Sequence, residues 1–243
     1  MVAIGERARL PWAMPRGRKS SASFGVCQLC QERTSKAAMV KHLASCAPQH
    51  DPRRGESSDL CLFRVESPGA RMYWIDVEAK AASPIRGLDA LLRRVWLECC
   101  GHMSAFEIGG QRYSVHVDRG SPFATSERSM SANLAEALTS PGQRFSYEYD
   151  FGSTTQLALR FIGVRRGIVG RTPARLLARN EPPVWPCAMC DARATLICPF
   201  CVGERNPFVC RSHARGHPCE DEESFLPVVN SPRMGVCGYT GEV

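Results

Sequence analysis

Between residues 59 and 165, apolar positions recur in short alternating runs broken by one longer helical period. Leu60–Glu66 and Met72–Glu78 read as strands, the second alternating Tyr73, Ile75 and Val77 against Trp74, Asp76 and Glu78. Ser83 is placed to cap a helix with Pro84 at its first position. Ile85, Leu88, Leu91, Leu92, Val95, Trp96 and Cys99 then fall at spacings of three and four, one apolar face, and Gly101 is a plausible stop. Strands follow at Ser104–Ile108 and Arg112–Val117 around the turn pair Gly109-Gly110. A short helix is expected over Ser129–Leu138, ended by Pro141-Gly142, and a strand pair over Arg144–Tyr149 and Thr155–Val164. The pattern predicts an α+β fold, a small mixed or antiparallel sheet packed on one main helix, with small zinc-binding modules at both ends.

The flanks are patterned differently. Residues 1–22 read as a flexible tail, with Pro11, Pro15, Gly17 and a Ser-rich stretch. Residues 23–50 form a small Cys/His module, followed by a polar linker from His50 to Ser58. Residues 166–186 read as a basic connector that includes a short helix near Pro173–Ala178. Residues 187–222 form a second Cys/His module, and 223–243 a C-terminal tail beside the acidic run Glu220, Asp221, Glu222, Glu223.

At 243 residues, 44% hydrophobic and 23% charged, the chain suits one ordinary domain plus small modules. No apolar run reaches membrane-span length, and the charged N-terminus lacks a signal-peptide core, so a cytoplasmic location is expected. In a reducing compartment thirteen cysteines point to metal ligation before disulfides. Nine of the thirteen fall into zinc-like spacings; Cys61, Cys99, Cys100 and Cys237 do not and read as buried small hydrophobes.

The first module spaces Cys27, Cys30, His42 and Cys46 as C-x2-C-x11-H-x3-C. That is a Cys-Cys-His-Cys variant of a small ββα finger, with the cysteine pair on a turn. His42 and Cys46 lie four apart and share a helix face, and Met39 and Leu43 fill a small core. The second module places eight ligands in 33 residues: Cys187, Cys190, Cys198, Cys201, Cys210, His213, His217 and Cys219. Zinc takes four such side chains in a tetrahedron, so two ions are expected here and three in the chain. Spacing alone permits two partitions. In the interleaved one, Cys187, Cys190, Cys210 and His213 hold one ion and Cys198, Cys201, His217 and Cys219 the other. In the sequential one, the first four cysteines hold one ion and the remaining four residues the other. The ending C-x2-H-x3-H-x-C resembles the AN-one-type and B-box zinc fingers, which implies the interleaved form, although its histidines stand closer together than in the usual AN-one pattern. Sites filled by four protein ligands are structural, not catalytic.

The net charge is +7, and Arg160, Arg165, Arg166, Arg171, Arg175 and Arg179 cluster without an acid among them. Such a cluster can contact the phosphates of DNA or RNA, or form a solvated face. For an enzyme, for instance a nuclease, the candidates are His102, Asp118, Glu148 and Asp150. No paired-carboxylate motif, nucleophile elbow or phosphate loop accompanies them. Asp150-Phe151-Gly152 lacks the glycine-rich and His-Arg-Asp loops of a kinase and reads as a turn, with Asp150 bonding local amides and Gly152 supplying a positive φ.

Two stretches, VWLECCGHMSAFEIGGQRY at 95–113 and FSYEYDFGSTTQLAL at 145–159, carry a further signal. With their order along the chain, they resemble the plasmid pRiA-four-b ORF-three-like family over residues 60–165. That family occurs in prokaryotes and as a passenger in some insertion elements. The resemblance implies an α+β core and no defined activity. The chain departs from the commoner family pattern at His102-Met103-Ser104-Ala105-Phe106, where many members have His-Leu-His-x-Phe. It departs again at Ser153-Thr154-Thr155, where many have Asp-x-Trp after the glycine. The sequence therefore predicts a non-enzymatic zinc-binding protein that binds nucleic acid, with a protein-interaction adaptor as the alternative and a nuclease-like enzyme using Asp150 and Glu148 behind it.

Overall fold

The computed structural model describes residues 23–116, 127–219 and 224–241. The N-terminal tail, Asp118, the end of the strand expected to reach Val117, and the acidic run 220–223 lie outside the described residues.

The fold begins with β1 (Phe24–Cys27) and β2 (Arg33–Ser35), then α1 (Lys36–Gln49). The central strands are β3 (Ser58–Glu66) and β4 (Trp74–Lys80), joined by a loop over residues 67–73. Next come α2 (Arg86–Leu92), β5 (Ser104–Ile108), β6 (Gln111–Ser114), β7 (Arg128–Ser129) and α3 (Leu134–Ala137). β8 (Arg144–Tyr149), β9 (Thr155–Gly167) and β10 (Ala174–Asn180) complete a ten-stranded sheet ordered β2-β1-β10-β4-β3-β9-β8-β5-β6-β7. Every pairing is antiparallel except β6 with β7. A separate three-stranded sheet, β11 (Leu196–Ile197), β12 (Phe208–Val209) and β13 (Leu226–Pro227), carries α4 (Arg211–Ala214) beside it.

The α+β class holds, with a sheet larger than expected and an expected main helix that is not regular throughout. Its apolar face forms α2 and then widens into a π-helical turn over Arg93–Leu97. Ser83 does not cap it; its hydroxyl donates to Lys80 O at 2.6 Å, and the helix starts at Arg86. The longest helix is α1, in the Cys/His module, where Ser35 accepts from Ala38 N and caps the first turn. The helix expected near 173–178 is instead strand β10, held between β1 and β4. Sheet pairing here overrides the helical propensity of Ala-Arg-Leu-Leu-Ala-Arg. Of the helix expected over 129–138, only Leu134–Ala137 forms. Gly109 and Gly110 turn the β5–β6 hairpin with φ of 60° and 78°, as a two-residue primed turn requires.

The two faces of the sheet explain its patterning. Cys61, Phe63 and Val65 of β3, Ile75 and Val77 of β4, and Leu157, Leu159 and Phe161 of β9 pack with Leu88, Leu92 and Trp96 in the main core. On the other face Trp74 packs with Met39, Leu43, Cys27 and Cys46. The alternation in β4 therefore does not separate a buried face from a wet one. The first Cys/His module covers the second face, so Asp76 and Glu78 are buried as well.

Buried carboxylates must be paired. Asp76 takes two bonds from Arg64, 2.5 Å to Nε and 2.8 Å to Nη2, and the same guanidinium reaches Lys36 O at 3.1 Å, at the start of α1. Glu78 and Asp51 share Arg165 and Arg175 in a four-residue ion network. Burial pushes the Asp51 carboxyl up, but Arg165, the Ile168 amide and Arg175 outweigh it and leave it at about 2. Close approach is also needed where β1 crosses Trp74: a Cβ on Gly25 would lie 2.5 Å from Arg179 O and from Trp74 Cη2.

The segment expected as a C-terminal tail is packed. Ser231, Arg233, Met234 and Tyr239 are buried, and Ser231 donates to Trp96 O at 2.6 Å. Asn230 bonds Asn180 of β10, so the chain returns from the small sheet to the large one. Among the described residues, no helix is long and apolar enough to cross a membrane.

Candidate metal centres

The Cys-x2-Cys elements are built by turns that aim thiols and amides inward. Gln31 N donates to Cys27 O at 2.9 Å, and Gln31 takes a left-handed φ of 64°, closing the turn that presents Cys27 and Cys30. α1 then supplies His42 and Cys46 from one face. All four ligand atoms lie within 4.8 Å of one another. Cys27 and Cys46 sulfurs are 3.9 Å apart, and Cys30 Sγ lies 3.4 Å from His42 Nε2. A zinc ion with Zn–S bonds of about 2.3 Å sets tetrahedral sulfur–sulfur edges of about 3.8 Å and sulfur–nitrogen edges of about 3.6 Å. The donors therefore fit zinc. Glu32 lies 3.4 Å from His42 Nδ1, the carboxylate–imidazole pairing that orients a metal-bound histidine.

In the second module the eight ligands divide in the interleaved way: Cys187, Cys190, Cys210 and His213 form one set, and Cys198, Cys201, His217 and Cys219 the other. The short strands enforce this. β11 pairs with β12, so the chain after each half returns beside the other. Trp185 stacks on Phe208 with ring centroids 4.4 Å apart and planes 5° from parallel, fixing the two halves in one small core. In the first set His213 Nδ1 lies 3.6 Å from Cys187 and 3.4 Å from Cys210. Burial opposes ionisation of Cys187, but the amides of Met189 and Cys210 and the ring of His213 outweigh it and bring the thiol down to about 6. In the second set Cys201 and Cys219 sulfurs stand 3.6 Å apart. Arg205 bonds both, at 3.0 Å through Nε and 3.2 Å through Nη2. Burial opposes ionisation of the Cys219 thiol, yet Cys201 and the Arg205 guanidinium hold it below its ordinary value. Burial and the same cation lower His217, favouring the neutral imidazole that binds metal.

A fourth set was not legible as a motif. Cys99, Cys100, His102 and Cys237 also bring their ligand atoms within 4.8 Å. The expectation of buried small hydrophobes holds for Cys61, which is 2% exposed, but not for Cys100 and Cys237, whose side chains are exposed. Cys99-Cys100-Gly101-His102 was a dense donor run in the sequence; its fourth member stands 135 residues beyond His102, so no spacing rule connects them.

The catalytic candidates are engaged elsewhere. Asp150 accepts from Gly152 N at 3.0 Å and Ser153 N at 3.2 Å, and from buried Arg233 at 2.7 Å. The left-handed residue of that turn is Asp150 itself, with φ 65°, and not Gly152. Glu148 pairs with Arg112 at 3.3 Å, and His102 faces Cys100 and Cys237 with Asp150 Oδ2 3.5 Å from its Nε2. The basic cluster is also partly internal. Arg165 and Arg175 belong to the network under the first module, and Arg179 donates to Asn230 O at 2.6 Å. Arg166 pairs at the surface with Asp59, while Arg160 and Arg171 are exposed.

No family model matches the chain. No curated protein matches it either. Among solved structures it is similar to a protein of unknown function, MM3350, from Methanosarcina mazei Go1. The likeness has 18% identity, covers 56% of this chain and 70% of that one, and has a TM-score of 0.37.

Proposed function

We propose that this chain is a non-enzymatic binding protein whose modules are held by zinc and whose partner is another protein. The observation that carries the reading is that each Cys/His set supplies four protein donors, which leaves no place for a substrate or water at a tetrahedral ion. The docking surface is the pair of knuckle tips in the second module. Met189, between Cys187 and Cys190, is 60% exposed, and Phe200, between Cys198 and Cys201, is 59% exposed. Large apolar side chains held out on rigid, metal-braced turns suit a protein partner. The test is affinity capture with full-length protein and with Met189→Ser/Phe200→Ser. A stoichiometric partner kept by the first and lost by the second, at unchanged zinc content, is expected. Equal recovery by both would overturn the assignment.

Nucleic acid is the second reading, favoured by the net charge of +7 and by exposed Arg160, Arg166 and Arg171. It ranks behind because Arg165, Arg175 and Arg179 are committed to internal partners. Binding to duplex DNA or RNA that weakens steeply with salt and with Arg160→Ala/Arg171→Ala would reverse that order. Membership of the pRiA-four-b ORF-three-like family remains our proposal for residues 60–165. It is supported by the order of the helix, the His102 strand and the Asp150 turn.

A further inference from the structure

The geometry points to a fourth metal site, at Cys99, Cys100, His102 and Cys237, that takes a zinc-like soft or borderline divalent cation and latches the C-terminal segment onto the large sheet. The inference rests on the same thiolate–imidazole chemistry as the other three sets.

Three separate parts of the chain converge there. Cys99 and Cys100 leave the π-helical turn, His102 leads into β5, and Cys237 arrives from the C-terminal segment. Cys100 Sγ is 3.7 Å from both Cys99 Sγ and Cys237 Sγ, close to the tetrahedral edge of about 3.8 Å and far beyond the disulfide bond length of about 2.05 Å. His102 Nε2 lies between the two exposed thiols, 3.0 Å from Cys100 and 3.1 Å from Cys237.

The surroundings are built to hold this arrangement. Glu98 Oε1 accepts from Gly101 N at 2.6 Å and from Tyr149 OH at 3.1 Å, which fixes the Cys99–Gly101 loop. Cys237 adopts a left-handed φ of 50°, a conformation that non-glycine residues take at a cost. Two exposed thiols and an imidazole are brought together by this turn, the imidazole edge-on to the Tyr149 ring. A metal ion would draw all four donors to one point. Three thiolates and one divalent ion leave a net charge of −1, and the buried guanidinium that Asp150 holds at 2.7 Å, that of Arg233, also reaches to 3.5 Å from Cys99 Sγ. Four protein donors close the site, so its role is to fasten residues 228–239 and not to carry out a reaction.

The test counts metal per chain by native mass spectrometry on the intact protein. Four ions are expected, falling to three in Cys237→Ser and in Cys100→Ser, and staying at four in Cys61→Ser. Hydrogen exchange over residues 228–239 should rise in the first two variants only. Should those variants fail to fold, thiol alkylation of the wild type decides. Exposed Cys100 and Cys237 should resist a small alkylating reagent until a chelator is added. Three ions in the wild type, free alkylation of both thiols, or a disulfide among Cys99, Cys100 and Cys237 would overturn the fourth site and leave the other three standing. Fewer than three ions would remove the zinc reading on which it rests.

Discussion

Arg233 Nη2 lies 2.7 Å from Asp150 Oδ2, and the arginine side chain is fully enclosed. The same guanidinium bonds Ser153 O and Thr155 Oγ1, so one side chain ties the C-terminal segment to the turn between β8 and β9. Arg233→Ala leaves the half-sealed carboxylate without its cation and should cost about 3–5 kcal/mol, the range for breaking a buried ion pair. Urea denaturation would measure it. Asp150→Asn should also destabilise, since a buried guanidinium then lacks its counter-charge. A catalytic Asp150 would instead lose activity at constant stability.

Arg205 should strengthen one ion of the second module selectively. It donates to Cys201 and Cys219, both of one set. Arg205→Ala is expected to weaken one zinc by about tenfold or more, the usual scale for losing an outer partner of a ligand. Competition with a chromogenic chelator should resolve one weakened ion and leave the rest unchanged. Uniform weakening of every ion would contradict the assignment.

The interleaved grouping makes a coupling prediction. Cys190 and Cys210 belong to one donor set, Cys190 and Cys201 to different sets. Cys190→Ser/Cys210→Ser should lose one metal, the same as either single change, whereas Cys190→Ser/Cys201→Ser should lose two. A sequential arrangement would give the opposite pattern, and metal analysis separates them.

Acid should loosen the first module's seat on the sheet. The Asp51 carboxyl lies at about 2, below its ordinary value of 3.8. A depressed acid stabilises the fold above its unfolded value, and that contribution disappears as pH falls through the folded value. The window is therefore roughly pH 4 to 2, and the contribution is at most ~2 kcal/mol. Denaturant midpoints should fall across that window in the wild type and fall less in Asp51→Asn.

Gly25→Ala should detach β1 without touching a metal ligand. Its Cβ would press on the Arg179 carbonyl and the Trp74 ring, and backbone cannot retreat as a side-chain tip can. A loss of about 1–3 kcal/mol is expected from the forced overlap, read as lowered thermal stability at unchanged zinc content.

What the sequence made readable was local. Ligand spacings four or fewer residues apart encode turns and helix faces, so the pairs Cys27–Cys30 and His42–Cys46 were readable, as were both Cys-x2-Cys pairs of the second module. The hairpin at Gly109-Gly110 was readable for the same reason, since both glycines carry the positive φ that the turn demands. What escaped depended on distant chain. Residues 174–180 look helical alone and become a strand because β1 and β4 offer edges on both sides. Asp76 and Glu78 look like solvent-facing positions until α1 is placed over them. Cys237 meets Cys100 only after the whole second module has intervened.

The position of β10 also sets an order of events during synthesis. β1, β2 and α1 leave the ribosome before β10, and those residues together with the turn between β1 and β2 contain all four donors of their set. Yet Gly25, Val26 and Cys27 pair with Asn180, Arg179 and Ala178. The donors of this set are therefore all made early, while the β1 edge that pairs with β10 stays unclaimed until most of the chain has emerged. The sheet can close only once β10 arrives to pair on one side with β1 and on the other with β4.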